Sequence, residues 1–404
     1  MSPDQEPCRQ DEQTPMNIVF VLYQSLACNS ASHVDGLARE LSALGHDCLV
    51  ALPEHLDDAD RFAPLPYRIA TYRQILDAPL VFVDGRGPDV VHTWTPREIV
   101  RKFHDRLAES YSFRTVIHLE DNEEHIARVA LGEDRWRAAC GDRLPFAYPD
   151  HLTSPVQAPG FFARASGVTL LIDRLAECMP VERPHRVFWP AVDQAVFHPR
   201  PRNDAMRAVH GIAPNEIVLC YHGNMHQANR AEIRSLYLAV ALLNRQGFPA
   251  RLVRMGTDHV AHEPEYRRWA AEFSIDLGYV IDRRHLVDVL AMADVFVQPG
   301  TADAFNDYRF PSKLPEFFSL GRPVVLPKSN IGLITRHLEH AWVLEEANGQ
   351  NICDAVRRIC SDRGLWRTLS DGACAFAEQN FSWSRSAAEV ASLYDAIVRD
   401  AAAA

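Results

Sequence analysis

Several features are scarce in this sequence. The 404-residue chain has no run approaching the ~20 apolar residues that a membrane-spanning helix requires, so no span is expected and only peripheral membrane contact stays open. Its nine cysteines include no CxxC pair and follow no clear secretory leader. They read as reduced, cytosolic packing residues, not as a disulfide framework or a thiolate metal site. There is no GxGxxG, so a dinucleotide site of the usual kind is not expected. Positive charge is also short. With 42 Lys and Arg against 53 Asp and Glu the net charge is −11, which argues against nucleic acid as a partner while allowing a local basic cleft.

What is present fits an ordinary globular chain of two or three domains, 47% apolar and 24% charged. Residues 1–15, polar and rich in Asp, Glu, Gln and Pro, read as a disordered tail. The apolar run Met16–Leu22 then predicts a first central parallel strand. A small-residue loop (25–32), a helix over 33–44 ending at Gly45, and a second strand over 47–52 complete a strand–loop–helix–strand unit of the Rossmann kind. Further strands are predicted over 88–94, 115–119, 167–172 and 187–190. A helix is predicted to start at Thr95-Pro96, and a short one over 173–178. Residues 131–159 show no clear period. The pattern resumes after a proline-rich linker through Pro201. Strands are expected at 216–224, closing on Gly223-Asn224, and at 250–256, closing on Gly256, and a long helix reaches about 246.

Two clusters carry chemistry. After the strand Thr115–Leu119, a polar pair, His118 and Glu120, alternates with Ile117 and Leu119, and Asp121, Glu123 and Glu124 follow. This acidic run has a metal or general-base reading, but an acceptor-facing role with Asp121 or Glu123 bonding a hydroxyl is preferred. The second cluster lies between the strand Val295–Val297 and the strand Pro323–Leu326, where Asp303, Asp307, Arg309, Lys313 and Glu316 crowd one loop and the first turn of a helix. Ser312 is placed as its N-cap with Pro315 and Glu316 in the first turn, so free N–H groups beside Arg309 and Lys313 would hold a phosphate. His222 and His226 are four apart but straddle a strand end and a loop, so no zinc site is assigned to them.

The run PSKLPEFFSLGRPVVLP resembles the donor-binding signature of the retaining GT-B glycosyltransferases of family four, and the likeness extends over nearly the whole chain. The resemblance implies an α/β chain of GT-B type, two Rossmann-like domains facing a central cleft. Residues 16–192 plus a returning helix over 384–400 would form the acceptor domain, and residues 193–383 the nucleotide-sugar donor domain. It implies that Glu316 binds the ribose. The family's sugar-contacting glutamate falls at Tyr308 here, so Asp307 or Arg309 would substitute. His118 would reach the transferred sugar, with a structural histidine as the rival reading. Gly223 would lie under the donor phosphates, where Asn224 stands in place of an arginine and Arg230 lies near the lysine position. The turn at Tyr279 would meet the nucleobase.

The implied reaction is transfer of a hexose-type sugar from a UDP- or GDP-type donor to a hydroxyl of a glycan, glycolipid, glycoprotein or small molecule, with no metal and no further cofactor. The rival readings are an epimerase or hydrolase on the same scaffold, and a catalytically silent nucleotide-sugar-binding partner.

Overall fold

The computed structural model describes residues 14–54, 63–141, 146–280 and 282–402, so the tail expected over 1–15 falls mostly outside it. The first half is a seven-stranded sheet built from β1 (Asn17–Val21), β2 (Asp47–Leu52), β3 (Arg68–Thr71), β4 (Val90–Trp94), β5 (Arg114–Leu119), β6 (Gly167–Leu170) and β7 (His185–Val187). All are parallel, in the order β3-β2-β1-β4-β5-β6-β7. The second half holds β8 (Ile217–His222), β9 (Ala250–Met255), β10 (Ser274–Asp276), β11 (Val295–Val297), β12 (Gly300–Thr301), β13 (Val324–Pro327), β14 (Trp342–Leu344) and β15 (Glu346–Ala347). Six of them form a second parallel sheet, β10-β9-β8-β11-β13-β14, while β12 and β15 pair separately as an antiparallel ladder. These two sheets are the GT-B architecture.

The strand order decides where ligands bind. In each sheet the chain builds outward on one side, then crosses to the other, so the order reverses between β1 and β4 in the first half and between β8 and β11 in the second. Beyond the carboxyl ends at such a reversal, neighbouring connections leave in opposite directions and a crevice opens. The central strands read as unbroken apolar runs because helices cover both sheet faces. β1 (NIVFV), for example, is buried throughout.

The last helix, Trp383–Ala402, returns to the first half. Val390, Leu393, Tyr394 and Ile397 are all buried, and the Tyr394 hydroxyl meets Nδ1 of His92 on β4 at 2.7 Å. Gly36 makes room for its start: a Cβ there would stand 2.3 Å from the Trp383 ring. Between the halves, Trp189 packs against Phe310, Phe376 and Phe381, joining the two cores into one apolar cluster.

Several boundaries differ from expectation. The first helix is Asn29–Ala43 and takes in the segment read as a loop, because Ser30 is drawn inward to bond Glu120. The helix expected from Thr95 starts at Glu98, since Thr95 sits at φ 70° and donates its N–H to the His118 carbonyl. The strand expected over 187–190 is His185–Val187, and the aperiodic 131–159 stretch contains the helix Glu133–Ala139.

Candidate active site

β8 ends at Gly223 and β9 at Gly256, both with positive φ. A Cβ on Gly256 would stand 2.4 Å from the Gly223 carbonyl oxygen, so only glycine lets these two strand ends approach so closely. Asn224, at the position where an arginine was expected, organises the loop: its Oδ1 accepts from the Thr257 N–H at 2.8 Å and its carbonyl accepts from Asn229 at 2.9 Å. Arg230 is not left to grip phosphate, because it opens the helix Arg230–Arg245 and pairs with Glu263 at 3.5 Å. Gly278 caps this corner by accepting from the Gly256 N–H, and Tyr279 beside it is 54% exposed.

The helix carrying Glu316 is short, Leu314–Ser319, with Lys313 at its cap position. Ser312 is not the N-cap expected of it. The Leu314 N–H bonds the Pro311 carbonyl, closing a turn, and the helical pattern begins only with Phe317 N–H to Lys313 carbonyl. Lys313 instead lies against the glycine loop: its Nζ is 3.3 Å from Gln298 Oε1 and 4.7 Å from the Tyr221 ring centre, and its Cε would be 3.0 Å from a Cβ at Gly223. Though its surface is partly exposed, it is densely surrounded, and this burial, reinforced by Arg309, pulls its ammonium down to about 7 against the pull of Glu232 and Glu316. Glu316 stands 2.5 Å from His222 Nε2 at the end of β8, a charge contact without hydrogen-bond alignment.

Arg309 is spent elsewhere. It pairs with Glu232 at 3.1 Å, donates to Asn306 at 2.6 and 3.0 Å, and stacks on Phe305 at 4.0 Å. It is therefore a structural cation in this conformation and not the free phosphate ligand expected. Asp307, expected to substitute for the sugar-contacting glutamate, accepts a 2.7 Å hydrogen bond from Arg174 of the first half, and Tyr308 donates to Glu177 at 2.7 Å. Glu232 went unrecognised in the sequence. It sits in the first turn of the helix after the glycine loop, and its only signal there was a carboxylate at a helix start.

Facing this array, the carboxyl end of β5 separates buried from available charge. His118, expected to reach the sugar, is fully buried. Its ring lies 3.9 Å from Trp94 and 5.1 Å from Phe188, Nδ1 bonds Thr169 at 2.8 Å, and burial pulls it down to about 3 despite Glu120. A central strand covered on both faces hides its polar side chains as well as its apolar ones, and Nε2 of this ring is enclosed without a hydrogen-bond partner. Glu120 bonds Ser30 at 2.5 Å and the Trp94 indole at 3.1 Å. Burial would raise it, but His33, His118 and Ser30 together bring it down to about 2. Glu123 is clamped by Arg97, two contacts of 3.0 Å, and by Thr153 at 2.8 Å, so it cannot serve an acceptor.

While Glu124 is exposed, Asp121 is left half-buried without these clamps. Burial and the neighbouring Glu120 and Glu123 push it up to about 8, against Arg97 and, from the opposite half, Arg309. A cleft of about 600 Å³ runs between Tyr23, Cys28, Asn29 and Ile99 of the first half and Asn224 of the second. Among the described residues, no three His, Cys, Asp or Glu side chains stand close enough to hold a metal ion, and no helix is long and apolar enough to cross a membrane.

A GT-B pair of sheets with a glycine loop, a lysine and a glutamate at the second switch point defines the class. Residues 216–362 match the family described as Glycosyl transferases group 1. Over 201 residues the chain is 30% identical to a GDP-mannose-dependent alpha-(1-6)-phosphatidylinositol dimannoside mannosyltransferase of Mycobacterium tuberculosis. That match spans 49% of this chain and 49% of the relative, so the chain covers about half the length of the curated relatives it matches. Among solved structures, Anabaena Alr3699/HepE in complex with UDP and glucose superposes with a TM-score of 0.69 at 14% identity, over 93% of this chain and 98% of that one. WaaG, a glycosyltransferase involved in lipopolysaccharide biosynthesis, gives 0.60 at 14% identity over 92% and 99%. At these identities the superpositions establish the fold.

Proposed function

We propose that the chain transfers a hexose-type sugar, with retention, from a nucleoside diphosphate sugar to an acceptor hydroxyl. The observation that carries this reading is Lys313. It is an ammonium held between the Gly223 loop, Gln298 and Tyr221, at the carboxyl ends of central strands. As the sugar leaves, negative charge gathers on the diphosphate. A cation already in place, with little water around it, stabilises that charge more in the transition state than in the ground state. Glu316, beside His222, offers its carboxylate to the ribose hydroxyls, and the backbone near Tyr279 is assigned to the base edge.

Asp121 supplies the acceptor side. Pushed up to about 8, it is a neutral acid at pH 7 and donates a hydrogen bond to a sugar hydroxyl. Retention follows from attack on the same face as the leaving diphosphate, which takes the acceptor proton. The relatives name GDP-mannose in one case and UDP with glucose in another, so the donor falls among the UDP and GDP sugars. The acceptor is a glycan, glycolipid, glycoprotein or small hydroxyl compound.

The test is a thermal-shift panel of nucleoside diphosphates and their sugars, followed by transfer assays over an acceptor series. A bound donor raises the melting temperature in step with concentration over Kd, and a glycosylated product completes the case. Free sugar or an epimer formed without acceptor would instead assign a hydrolase or epimerase, and binding without turnover a silent partner.

A further inference from the structure

Two short 3-10 turns meet across the cleft, Asp173–Cys178 from the first half and Asn306–Tyr308 from the second. Arg174 Nη1 donates to Asp307 Oδ2 at 2.7 Å, and the same guanidinium stands 5.0 Å from the Tyr308 ring centre and 3.7 Å from Glu177. The Tyr308 hydroxyl closes the circuit by donating to Glu177 Oε2 at 2.7 Å. Four side chains, two from each half, are thus linked to one another. Asp307 is the buried member, 9% exposed, with its second oxygen Oδ1 enclosed and unpartnered.

An exposed ion pair by itself carries little weight. This one differs in two respects. Its carboxylate is buried, so losing Arg174 leaves a charge without its counterion in a poorly solvated place. The turn it holds is also continuous with the donor site: Asn306 donates to Glu232 at 2.6 Å and receives Arg309, Asn330 donates to the Asn306 carbonyl at 2.9 Å, and Lys313 follows four residues after Arg309. The first half therefore reaches into the loop that carries the second half's cation.

We infer that Arg174 and Glu177 are positioning residues for donor binding. Through Asp307 and Tyr308 they latch the two halves together and set the loop from which Lys313 projects. The kinetic consequence rests on the transferase reading above, but the latch itself does not. Small-angle X-ray scattering of the full chain without ligand decides it: Arg174→Ala is expected to raise the radius of gyration, Tyr308→Phe to raise it less, and Arg174→Lys to restore it. In parallel, the KM for the nucleotide sugar is expected to rise about two- to fivefold in Arg174→Ala, with a smaller change in kcat and recovery in Arg174→Lys. Unfolding midpoints serve as the control for a folded variant. An unchanged radius of gyration in Arg174→Ala overturns the latch, and an unchanged KM overturns the positioning role. Should the wild-type chain turn over no nucleotide sugar, the transferase reading falls and the scattering comparison alone decides the latch.

Discussion

The two halves end their central sheets in the same way and treat charge in the same way too, with opposite sign. In the first half Glu120 is consumed by Ser30 and Trp94 and Glu123 by Arg97, leaving Asp121 as the half-buried member beside the exposed Glu124. In the second, Arg309 is consumed by Glu232 and Asn306, leaving Lys313. Each remaining group is driven toward its neutral form by burial, the acid up to about 8 and the amine down to about 7. A dense run of charge in a sequence is thus mostly scaffold. The groups that the scaffold does not neutralise are the ones left for chemistry under the transferase reading, and Asp121 feels the second half through Arg309.

The sharpest way to break this parallel is Lys313→Ala. Loss of a charge-assisted contact to a diphosphate costs about 1.5–3 kcal/mol, so calorimetric Kd for the best nucleoside diphosphate should rise about 10- to 100-fold, the largest effect of any single change here. The pH dependence has a definite sign. A lysine whose folded value is about 7 is half neutral there, while the anion binds only its protonated form. Binding should therefore take up a proton at pH 8 and none at pH 6, read from enthalpies in two buffers. For stability, the unfolded chain holds the extra proton between about 7 and the usual 10.5, so this group's contribution rises with pH across that window. Equal affinity in wild type and Lys313→Ala would remove the donor-site assignment.

Asp121→Asn tests the other member with a smaller effect. The amide keeps one hydrogen bond of the right shape, so transfer should fall about five- to tenfold with little change in donor Kd. Stability should move the opposite way. With its folded value raised from the usual 3.8 to about 8, the acid keeps a proton that the unfolded chain has already lost, so its contribution declines as pH rises through that window. Asp121→Asn should melt higher than wild type above pH 8 and match it below pH 4. A variant that is equally stable at both ends would show that Asp121 is simply solvated, and the symmetry between the halves would go with it.

Most of the architecture was legible because a parallel sheet buried on both faces writes itself as apolar runs: β1, β5 and β11 all announce themselves. β3 did not, because Arg68–Thr71 is an edge strand with one exposed and three half-buried residues and so has no such run. At the site, the loop and helix holding Lys313 and Glu316 could be read from local pattern and resemblance. What could not be read was availability. Arg309 is neutralised by a residue 77 positions away, and His118 is held by Thr169, 51 positions away. Neither partner leaves a mark near the residue it disables.

Ser312→Ala is the smallest expected effect and bears on where the positive end of the donor helix lies. A serine that caps a helix gives up about 0.5–2 kcal/mol when cut to alanine. Ser312 accepts no capping bond, since the turn Pro311–Leu314 intervenes and Lys313 takes the cap position. Its removal should therefore shift denaturation midpoints by less than about 0.5 kcal/mol. Asp362→Ala gives the contrast: Asp362 accepts from both Gly364 and Leu365 N–H groups at 2.9 and 3.0 Å, so its loss should cost about 1 kcal/mol. If Ser312→Ala instead costs as much as Asp362→Ala while donor affinity falls with it, the helix begins at Ser312 in solution. Its backbone N–H groups would then share with Lys313 the task of holding the diphosphate.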